Sequence, residues 1–526
     1  MGLFPLNAYL DSYPDAAHVG KGKDGLGGYD SWFCGFDYYP CATITHAAQV
    51  RYADTNKKIE LDSGYELAEE VGMTDGHEWE ISCETKGMEV GVKAPENFES
   101  AEFLIDVQSR CYIKNIKFSI PFALSSASTM ISVHSLSFNI TDNSLVNSPD
   151  NIVGQSIGHS FVNALSGKPR MEQFEIREGL TFDGHSFVEF VAGVSVVYFK
   201  GCNVANVRKI NGDGGLIKGA VGTQFGGGER KVGIVVIETC TVINCNCQGT
   251  SQEIGKGGGI CVSLDGDGSV VANGTSTIDS CEAKNNGGGT KGRGGGMMLT
   301  MASPNCKMEI AENVKFSSTS SSLNDAQYGK DMLVCCDSTI LLGTKVNAYS
   351  FKFFDSSVIP SDVTKLCGSE DGNEDEVIPL FVFLRSIALK LTVDGKGDMA
   401  LDHTYYGFEK FGCQSIDYCV TSRVEENMQA VEVSTESSIQ SEMKVLSYDV
   451  SLIGKAVTAG KKMKVDVKDG GEINQNGIIE CTKSFEMTNL EFVMNKVING
   501  RMTAFVHSST STITITSCSV SFTSDE

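Results

Sequence analysis

The chain has 526 residues, too many for one ordinary compact domain, so two or three domains or one elongated repeat are expected. With 41% hydrophobic and 21% charged residues, it is composed like a folding protein, and disorder of the whole chain is excluded. Its 43 basic against 66 acidic side chains give a formal charge of -23, which repels phosphate backbones and anionic lipid surfaces and excludes nucleic acid as the expected partner.

The 57 Gly against 10 Pro, with no Gly-X-Y period, point to β structure rich in tight turns. The 18 Cys exceed what a cytosolic enzyme usually needs and are too thinly spread for a small disulfide scaffold, so the redox compartment stays open. Residues 1–16 form an N-terminal segment. Met1 to Leu10 has neither a basic stretch nor an apolar run, so no signal peptide is legible.

A first module is expected over residues 17–390. Near its start, Cys34 and Cys41 are spaced to close a small loop, yet their counterparts later in the chain are Tyr406 and Cys413, and buried thiols are the expected state of the cysteines. Ile44 to Ala53 is the best helix, with Thr45 as its cap. From Cys111 onward short alternating runs recur, as in Tyr112 to Phe118, Ile131 to Phe138 and Val194 to Phe199, and each reads as a strand.

Between Cys202 and Met332 a finer repeat is visible: an apolar run, a polar loop, then a glycine cluster leading into another apolar run. The clusters begin at Gly214, Gly257 and Gly294, with a weaker fourth at Gly329. Glycine is needed where successive coils bend with φ > 0 and backbones approach closely. One coil per repeat places Ile260, Met297 and Met332 along one inner wall and Cys202, Cys240 and Cys281 along another.

The second module, expected over 391–526, is a shortened copy of the first. Gly35 to Cys41 matches Gly407 to Cys413; Ile44 falls on Ile416, and Ile59-Glu60-Leu61 on Val431-Glu432-Val433. Met88 to Val92 matches Met463 to Val467, and Ile113 to Phe118 matches Met487 to Phe492. Apolar positions persist while polar ones drift, as a shared core with a free outer surface demands. The expected fold is all-β, a right-handed parallel β-helix (solenoid) in two tandem copies, the second truncated. Val377 to Val393 carries Arg385, Lys390 and Pro379, so no transmembrane segment is expected.

The Gly-Gly-x-apolar segments Gly257 to Ile260 and Gly294 to Met297 resemble the pectin-lyase-like parallel β-helix superfamily, in particular polymorphic outer-membrane-type surface repeat proteins. The opening Cys34-Gly35 with Pro40-Cys41-Ala42-Thr43-Ile44 is similar to the entry motif of extracellular β-helix proteins. The resemblance implies an extracellular or cell-surface location, and polysaccharide or surface proteins as partners.

Enzymes of that superfamily need carboxylates repeated on adjacent coils. Asp265 and Asp267 are the best candidates, but the next repeat has Ala302 and Pro304 at those positions, and Asp-Gly pairs suit a tight turn. Counted as calcium loops, Asp265 and Asp371 reach Ser276 and Val382 at the twelfth position, so neither qualifies, and the acidic run Glu370 to Glu376 reads as a solvated loop. Lys209, Lys256, Lys291 with Arg293, and Lys330 sit near the glycine clusters, where they are expected to offset local negative charge and keep loops solvated, with a cationic strip for an acidic glycan as the alternative. No metal, cofactor or catalytic nucleophile is expected. A non-catalytic surface protein presenting loops to glycans or proteins is therefore the expectation, with a polysaccharide lyase or glycoside hydrolase as the alternative.

Overall fold

The computed structural model describes residues 16–523 apart from 22–27, 38, 51–55, 63–64, 75, 84–87, 93–102, 121–128, 136, 148–155, 227–228, 251–252, 286–291, 304, 317–323, 337–364, 370–376, 380–389, 397–411, 424–429, 446–447, 456–460, 468–477, 496–504 and 509–511. The chain divides into two compact units, Met1–Phe381 and Val382–Glu526.

Alternation of apolar and polar side chains gives each short run one face to bury. Glu78–Cys83, for example, buries Trp79, Ile81 and Cys83 and leaves the residues between them half-buried. The chain bends after each run and returns one turn later, so each strand pairs in parallel with its equivalent on the next rung. Val196–Lys200, Asn203–Ala205, Val207–Ile210 and Ile217–Val221 make one rung. Ile234–Glu238, Thr241–Ile243, Asn246–Gln248 and Ile260–Leu264 make the next, paired with it strand for strand. The fold is a parallel β-helix, a solenoid.

Among the described residues of the first unit the rungs build three long sheets. Sheet 1 has 10 strands, from Ala17–Val19 to Lys307–Ile310. Sheet 2 has 11, from Val71–Met73 to Val377–Pro379, and sheet 3 has 9, from Glu66–Leu67 to Lys315–Phe316. A further sheet of 4 strands, Leu180–Asp183 to Glu282–Lys284, widens the middle rungs.

Glycine is demanded at the entry to sheet 2. Gly214, Gly257, Gly294 and Gly329 have φ of 70, 65, 64 and 59°, and a Cβ on Gly258 would meet the Gly295 carbonyl oxygen at 2.3 Å. These glycines hold the coils in phase, and the inner wall follows: Ile217, Ile260, Met297, Met332 and Leu366 occupy one register position on successive rungs, all buried. Asparagine takes the left-handed role at the corner after sheet 3, where Asn206 and Asn244 have φ of 62 and 53° and the Asn244 amide donates to Asn206 Oδ1 at 2.7 Å. Phe118, Phe161, Phe174 and Phe187 fill the interior with ring centroids 5.2–5.5 Å apart.

The second expected wall is corrected. Cys202 and Cys240 share a register position, but Ser276 follows them there, and Cys281 stacks on Cys245 one corner further along. Cys34 and Cys41 are joined by a disulfide, while the other cysteines remain thiols. The helix expected over Ile44 to Ala53 occupies Ile44–Val50, residues 51–53 lying outside the described part. Its cap is Thr43 rather than Thr45: Thr43 Oγ1 accepts from the His46 N–H at 3.1 Å, and the Glu69 carboxylate accepts from Ile44 N and Thr45 N.

The second unit repeats the first rungs of the first. Leu391, Val431, Leu452 and Met487 stack as Ala17, Ile59, Ile81 and Ile113 do, and Ile439 pairs with Val467 as Leu67 pairs with Val92. Cys413 bridges to Val393 as Cys41 does to Val19, and helical segments Ile416–Tyr418 and Cys419–Arg423 follow where Ile44–Val50 stands in the first copy. Gly407 to Phe411 and the acidic run Glu370 to Glu376 lie outside the described residues. Among the described residues no helix is long and apolar enough to cross a membrane.

Candidate functional site

The outward positions of sheet 2 form a straight column. Gly72, Asp106, Ser132, Asn163, Glu189, Lys218, Cys261 and Met298 hold one register position on eight successive strands. Adjacent parallel strands are about 4.8 Å apart, so this column is a rigid ruler of polar groups passing into apolar ones. Over its centre lies an open groove of about 630 Å³, lined by Asn163, Glu189, Lys218, Cys261 and Met298, by Val191, Ala220, Ser263 and Thr300, and along one side by His185, Asp213 and Lys256.

The charged end of the groove is tightly wired. Glu189 Oε1 accepts from the Ser186 N–H at 2.8 Å, and His185 Nδ1 lies 3.3 Å from Glu189 Oε2. Burial alone would raise the Glu189 carboxyl, but the His185 and Ser186 hydrogen bonds and the Lys209 charge outweigh it and hold the group below the usual carboxylate range. Asp213 is the opposite case: burial lifts its carboxyl above the usual range against the pull of Lys218 and Lys256. The two carboxyl groups on this side of the groove are thus pushed in opposite directions.

Lys209 lies beneath this wall. Its side chain is 0% exposed, Nζ donates to Ser186 Oγ at 2.9 Å and to the Asp213 carbonyl at 2.8 Å, and Glu189 Oε1 is 3.8 Å away. Burial lowers its ammonium to a pKa of about 8. Lys209 therefore fastens the 211–214 turn from inside rather than facing a ligand.

Of the other residues singled out by sequence, Lys256 lines the groove, and its backbone N–H donates to Asp213 Oδ1 at 3.1 Å. Arg293 bridges in parallel to Lys256 on one side and to Tyr328 on the other, and is 6% exposed. The residues preceding the four left-handed glycines are thus Asp213, Lys256, Arg293 and Tyr328, so two cations stand in succession between an acid and a phenol. Lys330 follows its glycine, and Lys291 lies outside the described residues. Asp265 and Asp267 stand beyond the other end of Ile260–Leu264 in a turn: Gly268 N donates to the Asp265 carbonyl at 2.8 Å, Gly266 has a φ of 54°, and Asp267 Oδ2 accepts from Thr223 Oγ1 at 3.0 Å. Neither lines the groove.

No family model matches the chain, and no curated protein matches it. The site is therefore read from its own chemistry. Sequence reasoning missed His185, Glu189, Asp213 and Lys218; the signal available was the odd-position alternation of Val188-Glu189-Phe190 and Ile217-Lys218-Gly219, which puts opposite charges outward on neighbouring strands.

Proposed function

We propose that this chain is a non-catalytic β-helix protein of the extracellular or cell-surface kind, pectin-lyase-like in fold, whose sheet 2 groove binds carbohydrate. The observation that carries the reading is the outward column Asn163, Glu189, Lys218, with Lys256 and His185 beside it and Val191, Ala220 and Met298 along the floor. A sugar ring offers hydroxyl edges to donors and acceptors and apolar C–H faces to aliphatic carbon, and a rigid track supplies both with little ordering cost. The Cys34–Cys41 disulfide supports an oxidising location. The exposed Lys218 suits a glycan carrying carboxylates.

The test is binding of neutral and uronic-acid oligosaccharides by calorimetry, with Lys218→Glu and Asp265→Asn compared with the parent chain. Binding weakened at least tenfold by K218E and unchanged by D265N is the expected result; equal affinity in all three would refute the groove reading.

A polysaccharide hydrolase is the second reading, on the observation that two carboxyl groups, Glu189 and Asp213, line the same groove. Release of reducing ends from a polysaccharide, abolished in Asp213→Asn, would replace the binding reading with it.

A further inference from the structure

Four interior thiols fall into two stacked pairs. The registers Asn203 with Thr241 and Asn246 with Glu282 place Cys202 against Cys240 and Cys245 against Cys281, each pair spanning adjacent rungs. All four thiols are buried, and each donates to a backbone carbonyl: Cys202 to Met171 at 3.4 Å, Cys240 to Glu238 at 3.4 Å, Cys245 to Ile243 at 3.6 Å and Cys281 to Asp279 at 3.3 Å. Adjacent parallel strands lie about 4.8 Å apart, inside the Cα separation of roughly 4.4–6.8 Å that a disulfide spans.

We propose that Cys202 with Cys240 and Cys245 with Cys281 are oxidisable inter-rung pairs whose closure staples three consecutive rungs. Cys240 and Cys245 belong to the same rung, on either side of Thr241–Ile243, so the two bridges act in series along the column. The chain already holds one disulfide, Cys34–Cys41, so the setting that closes it supplies a disulfide donor, taken here as glutathione disulfide.

The chemistry balances by two exchanges per pair. Either thiol of a pair can start, and Cys240 is written as the first nucleophile of its pair. Its thiolate attacks one glutathione sulfur and expels a glutathione thiolate. Cys202 then loses its proton to that thiolate and attacks Cys240 Sγ, and the second glutathione leaves. Two protein thiols are oxidised and one disulfide is reduced to two thiols. The second pair closes by the same two exchanges, through Cys245 and Cys281. All four side chains are buried, which confines the reaction to the docking of rungs during folding.

The full chain is reduced, unfolded and refolded in a glutathione redox buffer, its remaining thiols are alkylated in denaturant, and its peptides are mapped without reduction. Closure of Cys34–Cys41 reports that the oxidant acted, and the same map of chain folded in an oxidising bacterial periplasm removes dependence on refolding. The expected result is Cys202 linked to Cys240 and Cys245 to Cys281, with oxidised parent unfolding on the order of tenfold more slowly than oxidised C240S/C281S. Cys34–Cys41 closed while the four interior thiols are alkylated or differently paired would overturn the proposal, as would equal unfolding rates.

Discussion

Ile260→Ala probes the column where it is most enclosed. Ile260 is 0% exposed and sits between Ile217 and Met297 on the neighbouring rungs. The substitution removes three carbons, about 0.8 kcal/mol each in lost transfer free energy, or roughly 2.5 kcal/mol. A cavity closed above and below by fixed rungs relaxes little, and its residual volume adds about 1–2 kcal/mol, for a total of about 4 kcal/mol. In a solenoid the loss falls on nearest neighbours. Urea unfolding with native-state hydrogen exchange measures both quantities: amides of Ile217–Val221, Ile260–Leu264 and Met297–Met301 should lose protection, while those of Asn56–Leu61 keep theirs. A cost below about 1 kcal/mol, or equal loss at Asn56–Leu61, would refute stacked-rung packing.

Three further outcomes follow from particular contacts. Gly258→Ala should destabilise the first unit by at least about 2 kcal/mol in denaturant titration, because its Cβ would meet the Gly295 carbonyl oxygen at 2.3 Å and the Glu282 backbone at 2.5 Å. His18, with Nδ1 3.6 Å from Asp62 Oδ1 and Nε2 2.7 Å from Asp37 Oδ1, has its pKa raised above 6.5, chiefly by the Asp62 carboxylate against the cost of burial. Its stabilisation is complete below pH 6.5 and is lost as pH rises through the elevated folded-state value; melting curves of the parent should fall over that window, and those of His18→Gln should not. Lys209→Met removes the donor to Ser186 and to the Asp213 carbonyl, so exchange at the 211–214 amides should accelerate at least tenfold while Asn56–Leu61 is unchanged.

The path from sequence to structure is uneven for a physical reason. The glycine clusters fix the phase of the coils through positive φ, so the wall Ile260, Met297, Met332 was legible in the chain itself. The second copy was legible for the same kind of reason: core positions such as Ile59 and Val431 are held by packing on both sides. Cys281 was misplaced because corners of similar spacing are not equivalent: Ser276 takes the position after Cys240, and Cys281 that after Cys245. Lys209 was misread because distance from a glycine cluster says nothing of which face a strand residue takes. It lies within Val207–Ile210, and Asp213 holds the position that Lys256 and Arg293 repeat. The groove itself depends on register between strands that are far apart in sequence, as Glu189 and Lys218 are.

In-register stacking of sheet 2 is tested most directly by cross-linking two residues that its outer face makes neighbours. Ala220 and Ser263 are register partners, whereas Val262 is 1% exposed and partners Gly219. A220C/S263C should close a disulfide under mild oxidation and A220C/V262C should not. Closure in A220C/V262C alone would contradict the register on which the column, the groove and the proposed function all stand.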